Sequence, residues 1–587
     1  MIHTLVLVTV CLGAYMWTDL QNEIHRLFSA RAGAPMVLDA YSRGLLVRYA
    51  TEVATWHHPD ATEMVPPSFT GPTVQVPVEL VMNVTVTVPE SVDPLDTYAA
   101  TLYAGILPFP DSAADCGAWN LKDSVPPQVV LADMLWPPLH PPRTLVPRGR
   151  NKYTDGALSD LMFTSTGQHR LEAVRASDLH KGDAVYASYM GDAEQWHTRP
   201  GFAKLGADAY FDAHGTLLFI RRLQQTFRPT DMPTDAYRFS DHDQNRSACI
   251  AHGGYRVRGW LSETCGVTRG HCTALGGTHV LRDCHVPAQD RWTHAKMAFR
   301  GTLSVMVTFM DHLYALHLVV SNALVTASTE TLDVSNPIRR LMHPFTFRTI
   351  DSNYHVAHAL VNEYGLLHRA SALNTVGLKQ LYAFARTGIA WSTIPERHAA
   401  QGMRVRLPLH EDGGDFYAVI QEYVRVYLQL HYTEHCSADP PLRAWWARLT
   451  DMMTPTRDLP PLSNCTVLSD VLATVIYLVT AGHHHVGAIL ADVEDPCHSP
   501  WAFRDHELCG LPRTSLVQLL TFAIPSGESP KLLRDYSQVF LDGSSKYAWD
   551  AFQRNLTAFQ SRVSARNAKR TRPFHSFDLN LVEISVG

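Results

Sequence analysis

Residues 292–317 read WTHAKMAFRGTLSVMVTFMDHLYALH. Apolar residues recur there at spacings of three and four, which predicts a buried helix. The helix carries His312 and His317, with four residues between them. On a regular α-helix positions i and i+5 point about 140° apart, so both imidazoles reach one cation only if a π-bulge stretches a turn by a residue. The pair therefore predicts a local helix distortion. Taken alone, the spacing also suits two core or surface histidines, because the chain holds 31 of them.

A second histidine group lies at 480–492, TAGHHHVGAILAD, and continues the helix of the apolar run 467–479. Successive residues fan out by about 100°, so three adjacent histidines cannot all face one metal. A solvent-facing His-rich tract is the competing reading of the same composition. Further apolar-periodic segments at 351–387, 414–432, 441–453 and 546–564 make the C-terminal half helical.

Toward the N-terminus the pattern changes. Residues 74–88, VQVPVELVMNVTVTV, alternate β-branched and polar positions in a Pro-rich stretch and read as strand and loop. Residues 210–221, YFDAHGTLLFIR, read as a hairpin around a His-Gly turn. The expected fold is mainly α with a smaller N-terminal β-containing region: a β/loop region over 21–144, a helical domain over 145–587, and a Cys-rich insertion over 222–291. Within that insertion, Cys249, Cys265, Cys272 and Cys284 include no CxxC pair. Disulfide staples therefore suit them better than zinc.

A hydrophobic share of 46% and a charged share of 18% describe a packed globular chain. The formal charge of −6 offers no basic field, the one cationic run being 562–572, so nucleic-acid binding is excluded as a partner class. Residues 1–20 begin with the apolar run MIHTLVLVTVCLGAYMW and read as a signal peptide without its usual Lys or Arg. Sequons at Asn83, Asn245, Asn464 and Asn555, and nine cysteines after Cys11, agree with a secreted or secretory-pathway protein; the alternative is a cytoplasmic one. No later stretch reads as the ~18–20 apolar residues of a membrane span.

Three parts of the chain resemble the lipoxygenase family. Trp292, Ala295-Lys296, His312 and His317 follow the order and spacing of the family's central helix with its two iron-binding histidines. Segments 393–403 (TIPERHAAQGM), 411–432 (EDGGDFYAVIQEYVRVYLQLHY) and 439–449 (DPPLRAWWARL) are similar to its Pro-Glu…Arg-Gly, Asp-Gly…Tyr-Tyr and Asp-x-x-Leu-x-x-Trp-Trp series. Residues 481–488 fall where the family has Ser-Ala-x-His-Ala-Ala-Val-Asn, a register taken to place the third histidine ligand at His484 and the fourth, weak ligand at Ala488.

The resemblance implies non-haem iron, alternatively manganese, held by His312, His317 and His484 and by the C-terminal carboxylate, here that of Gly587. A metal-bound hydroxide would abstract hydrogen from the doubly allylic carbon of a polyunsaturated fatty acid, and dioxygen would trap the radical as a hydroperoxide. Val356, Ala357, Leu316 and Ile489 are the implied channel residues, and a membrane or lipid surface is a further implied partner. Two departures alter the ligand set: alanine cannot coordinate, and an added residue after Val586 shifts the chain end by up to ~3.5 Å. They motivate two alternatives, a hydroperoxide isomerase or lyase on the same site, and a non-catalytic lipid-binding protein on the same scaffold. A zinc hydrolase is disfavoured because no HExxH accompanies the histidines.

Overall fold

The computed structural model describes residues 72–91 except 82 and 83, 154–229 except 179–182, four strands between 254 and 285, then 291–387, 391–432, 436–453, 458–487, 499–503, 510–511 and 531–586. Thr73–Pro77 (β1) and Thr85–Pro89 (β2) pair antiparallel, with Val74 opposite Val88. β2 buries Val86 and Val88. Its buried polar groups are satisfied from the helices: the Thr87 N–H donates to Asn322 Oδ1 at 3.0 Å, and Asn353 Nδ2 donates to the Thr87 carbonyl at 3.1 Å.

Helix α1, Asp155–Thr164, precedes a five-stranded antiparallel sheet of β3 (Glu172–Ala173), β4 (Tyr186–Tyr189), β5 (Asp208–Phe211), β6 (Leu217–Arg222) and β7 (Gln225–Phe227) in that order. The expected hairpin is β5–β6, which turns through Gly215 at φ 79°, where a side chain would be strained. In the Cys-rich insertion two short hairpins form, Gly254–Arg258 with Glu263–Val267 and Thr278–Val280 with Asp283–His285. The expected disulfides of that cluster lie outside the described residues.

The centre of the molecule is α2, Arg291–Thr331, a 41-residue helix with an apolar window buried inside the fold. Its start is fixed by the buried Lys296 and by Trp292, both of which donate to Asp155 Oδ1 of α1, at 2.7 and 2.8 Å. The helical pattern at 351–387 breaks into pieces: α3 (Thr349–His355, continued by a π turn over Val356–Leu360), then Leu366–Ala370 and Thr375–Thr387. Tyr364, at φ 60°, takes the left-handed conformation that stops a helix. Four long helices complete the domain: α4 (Pro408–His431), α5 (Pro440–Met453), α6 (Cys465–Gly487) and α7 (Gly543–Asn567).

α4 packs on both α6 and α7, and α5 packs on the far end of α2. Between α4 and α7, Arg566 and Arg570 enclose the fully buried Asp412 at 2.9 and 2.6 Å, so that its charge is paired where water cannot reach it. A disulfide joins Cys436 to Cys465, at the start of α6. After α7 the chain turns inward: Leu579, Val582, Ile584 and Val586 are fully buried, and Ser585 Oγ donates to the Phe347 carbonyl at 2.8 Å.

The expectation that no later segment could span a bilayer needs correction. α2 and α6 contain 18-residue windows with mean hydropathies of 1.5 and 1.7, long and apolar enough by composition. Those windows are 89% and 72% buried inside the fold, as core helices are.

Candidate metal centre

α2 winds as a π-helix over Met306–Ser321, the distortion that the spacing of its two histidines requires. Bonding from i to i+5 brings His317 over His312, and the rings meet edge to face with centroids 4.8 Å apart. α6 has its own π turn over Leu478–Gly482, immediately before His483. The Nε2 of His483 lies 2.8 Å from that of His312 and 3.1 Å from that of His317, and the latter two are 3.3 Å apart. Ser352 of α3 stands 3.3 Å from His317 Nδ1 and orients the ring from behind.

His484, the expected third ligand, is not in this cluster; His483 is. One residue further along α6 rotates a side chain by about 100°. Set on Ala481, the series Ala-x-His-Ala-Ala-Val-Asn falls with its histidine on His483, its valine on Val486 and its asparagine on Gly487 rather than Ala488. In a row of three identical residues a slip of one leaves no trace in composition.

Burial drives the His312 and His483 imidazoles well below their ordinary range, and neighbouring imidazoles add to it. Burial alone lowers His317 to about 4. All three are neutral near pH 7, the form that offers a lone pair to a metal. Metal–nitrogen bonds of about 2.1 Å at right angles place donors about 3.0 Å apart, against about 3.4 Å around a tetrahedron. The separations of 2.8, 3.1 and 3.3 Å bracket the first value. The residues therefore fit a cation held on one triangular face, and an all-imidazole face suits iron as well as zinc, copper or nickel.

Residues that the sequence did not single out surround this cluster. Asp311, the residue before His312, accepts from both Arg170 Nε and Arg170 Nη2 at 2.7 Å and bonds His169 Nε2 at 2.8 Å. Burial would raise its carboxyl, but the Arg170 guanidinium and His169 hold it down to about 2. The other nitrogen of His169 lies 3.2 Å from His485 Nε2, and His485 Nδ1 lies 3.0 Å from Ser576 Oγ in the C-terminal segment. His485 thus faces away from the metal-binding atoms. A carboxylate inside an apolar helix was the signal available for this network.

The implied channel residues Leu316, Val356 and Ala357 are buried, and the π turn bearing the last two packs against the π stretch of α2. Ala488, Ile489 and Gly587 lie outside the described residues; Ile584, Ser585 and Val586 just before the last of them are buried.

Residues 278–488 match the family model described as Lipoxygenase. Over that stretch the chain is similar to the lipoxygenase family. It is 24% identical over 327 residues to the hydroperoxide isomerase ALOXE3 of Rattus norvegicus, covering 50% of this chain and 45% of that one. It is 25% identical over 182 residues to the chloroplastic lipoxygenase 2 of Arabidopsis thaliana, covering 27% and 20%. The chain thus spans about half, or less, of the length of these curated relatives. Among solved structures, a calcium-dependent 11R-lipoxygenase superposes with a TM-score of 0.60 at 12% identity, over 88% of this chain and 78% of that one. A Delta413-417:GS lipoxygenase in complex with arachidonate gives 0.60 at 14% identity, over 88% and 79%. These two establish the helical fold.

Proposed function

We propose that this chain is a mononuclear non-haem metal oxidoreductase that dioxygenates polyunsaturated fatty acids. One observation carries the reading: His312, His317 and His483, from two core helices, turn three Nε2 atoms onto one point. Iron, or alternatively manganese, would supply one-electron chemistry at a doubly allylic carbon. The protein's own part is positional and electrostatic. Ser352 fixes the His317 ring, burial keeps the three imidazoles unprotonated, and the apolar flanks of α2, such as Leu313 and Leu316, exclude water from the neighbourhood of a reactive radical. Anaerobic metal analysis of the purified protein, followed by conjugated-diene formation from linoleate or arachidonate, tests this. A protein that binds neither iron nor manganese ends the reading.

A second reading is hydroperoxide isomerisation on the same site. It is favoured by the similarity to hydroperoxide isomerase ALOXE3 and by a glycine where the family has its fourth ligand. Supplying a fatty-acid hydroperoxide in place of the acid separates the two: turnover of the acid with the hydroperoxide untouched excludes isomerisation. We also assign the chain to the secretory pathway; the Cys436–Cys465 disulfide and the exposed sequons at Asn464 and Asn555 support this.

A further inference from the structure

Where the chain turns from the end of α2 toward α3 it leaves a cleft, lined among others by Ser328 of α2, Arg339 of the short helix Pro337–Met342, His343 and Arg348. Its empty space, counting what lies open to solvent, is about 450 Å³. That is toward the lower end for ligand sites and suits a compact group rather than a whole acyl chain. No carboxylate is among its lining residues. Burial lowers Arg339 although Asp333 attracts it, and Arg340 adds to the lowering. Burial likewise holds His343 down to about 4, with Arg340 and Arg339 pushing the same way. The cleft therefore carries positive potential that the described residues leave unneutralised.

Its hydrogen-bond donors are largely uncommitted. The Arg348 side chain makes no hydrogen bond or ion pair with any described residue, and its backbone sits at φ 55°, a conformation that a non-glycine residue keeps only where its surroundings impose it. Arg339 commits one nitrogen, Nη1, to the Leu332 carbonyl at 2.5 Å. Ser328 is buried and accepts from Trp445 Nε1 at 3.1 Å, which leaves its own proton for another acceptor. We infer that this cleft binds a phosphate group, free or carried on a lipid head group, through Arg348 and Arg339, with the Ser328 hydroxyl as a third donor. Two guanidinium forks and a hydroxyl match the charge of about −2 and the three acceptor oxygens of a phosphate monoester. A carboxylate, with two oxygens and a single charge, would leave one arginine unmatched. The site needs no metal at the imidazole cluster, so the two readings fail separately.

The test uses the full chain, with inorganic phosphate titrated by calorimetry at fixed ionic strength, and with sedimentation on phosphatidylcholine vesicles made with and without phosphatidic acid. Wild-type protein should bind phosphate saturably, or the phosphatidic acid vesicles in preference to the plain ones. The first result assigns a free anion as the ligand, and the second alone assigns a lipid head group. Arg348→Gln and Arg339→Gln should each weaken the binding by at least about tenfold, the loss expected for a hydrogen bond to a charged group. Arg425→Gln, which removes an exposed arginine paired with Glu422 on α4, should leave it within about twofold. If one of the two cleft variants fails to fold, the other decides. Binding undiminished in a folded cleft variant, or wild-type protein that responds to neither phosphate nor phosphatidic acid, overturns the site.

Discussion

Substituting the three consecutive histidines of α6 one at a time separates ligand, bystander and support. Removing His483 would leave two nitrogens where three now lie within 3.3 Å of one another. Loss of a group that only supports a metal ligand costs 10–100-fold in affinity, so loss of the donor itself is expected to reach at least about 100-fold. At 1.4 kcal/mol per tenfold, that is about 2.8 kcal/mol. His484, turned away by about 100°, should be silent: His484→Ala keeps the wild-type metal content and chelator midpoint. His485→Ala should also keep its metal but lose about 1 kcal/mol for each of its hydrogen bonds to Ser576 and His169. Elemental analysis and chelator competition read the first two, and denaturant unfolding reads the third. If His484→Ala empties the site while His483→Ala leaves it filled, the assignment of the third ligand is wrong.

Removing the Cys436–Cys465 disulfide, which closes a separation of 29 residues, should cost ~3.6 kcal/mol by the chain-entropy relation; a urea midpoint unchanged on substituting both cysteines with alanine would contradict it. Metal-free protein should lose stability as pH falls. Because burial lowers His317 to about 4 when folded and it has its ordinary value of 6.5 when unfolded, the unfolded state takes the proton first between those values. Between pH 6.5 and pH 5 this amounts to about 2 kcal/mol, all of it present above pH 6.5. His317→Phe should flatten that part of the pH dependence, and an identical slope in both proteins would refute the account. Ser352→Ala should weaken metal binding by about tenfold through a loosened His317 ring, as read by chelator titration against His484→Ala as a neutral control.

What the sequence revealed and what it concealed follow from the reach of each interaction. His312 and His317 announced a π distortion because five-residue spacing on a helix has one geometric remedy, and Met306–Ser321 supplies it. The segments at 414–432 and 441–453 marked α4 and α5 because their apolar spacing is local. The third histidine of the cluster was misplaced by one because three equal side chains at 483–485 carry no phase of their own; Ala481 and Val486 supply it. The Asp311 network was invisible because Arg170 lies 141 residues away in sequence, and no periodicity links them. The same limit applies to Cys436 with Cys465, whereas the clustered cysteines drew attention by proximity alone.

A π turn is what a helix becomes when it must absorb one residue more than its ladder can use. Excising a single residue between His312 and His317 would let α2 revert to ordinary winding and still set two imidazoles a turn apart. Everything beyond the cut would keep its face, because the residue removed is the one the wide turn had absorbed. Asn322, which anchors the Thr87 strand, would still point at it. The surplus residue therefore spaces the two imidazoles while the N-terminal hairpin docks independently of it.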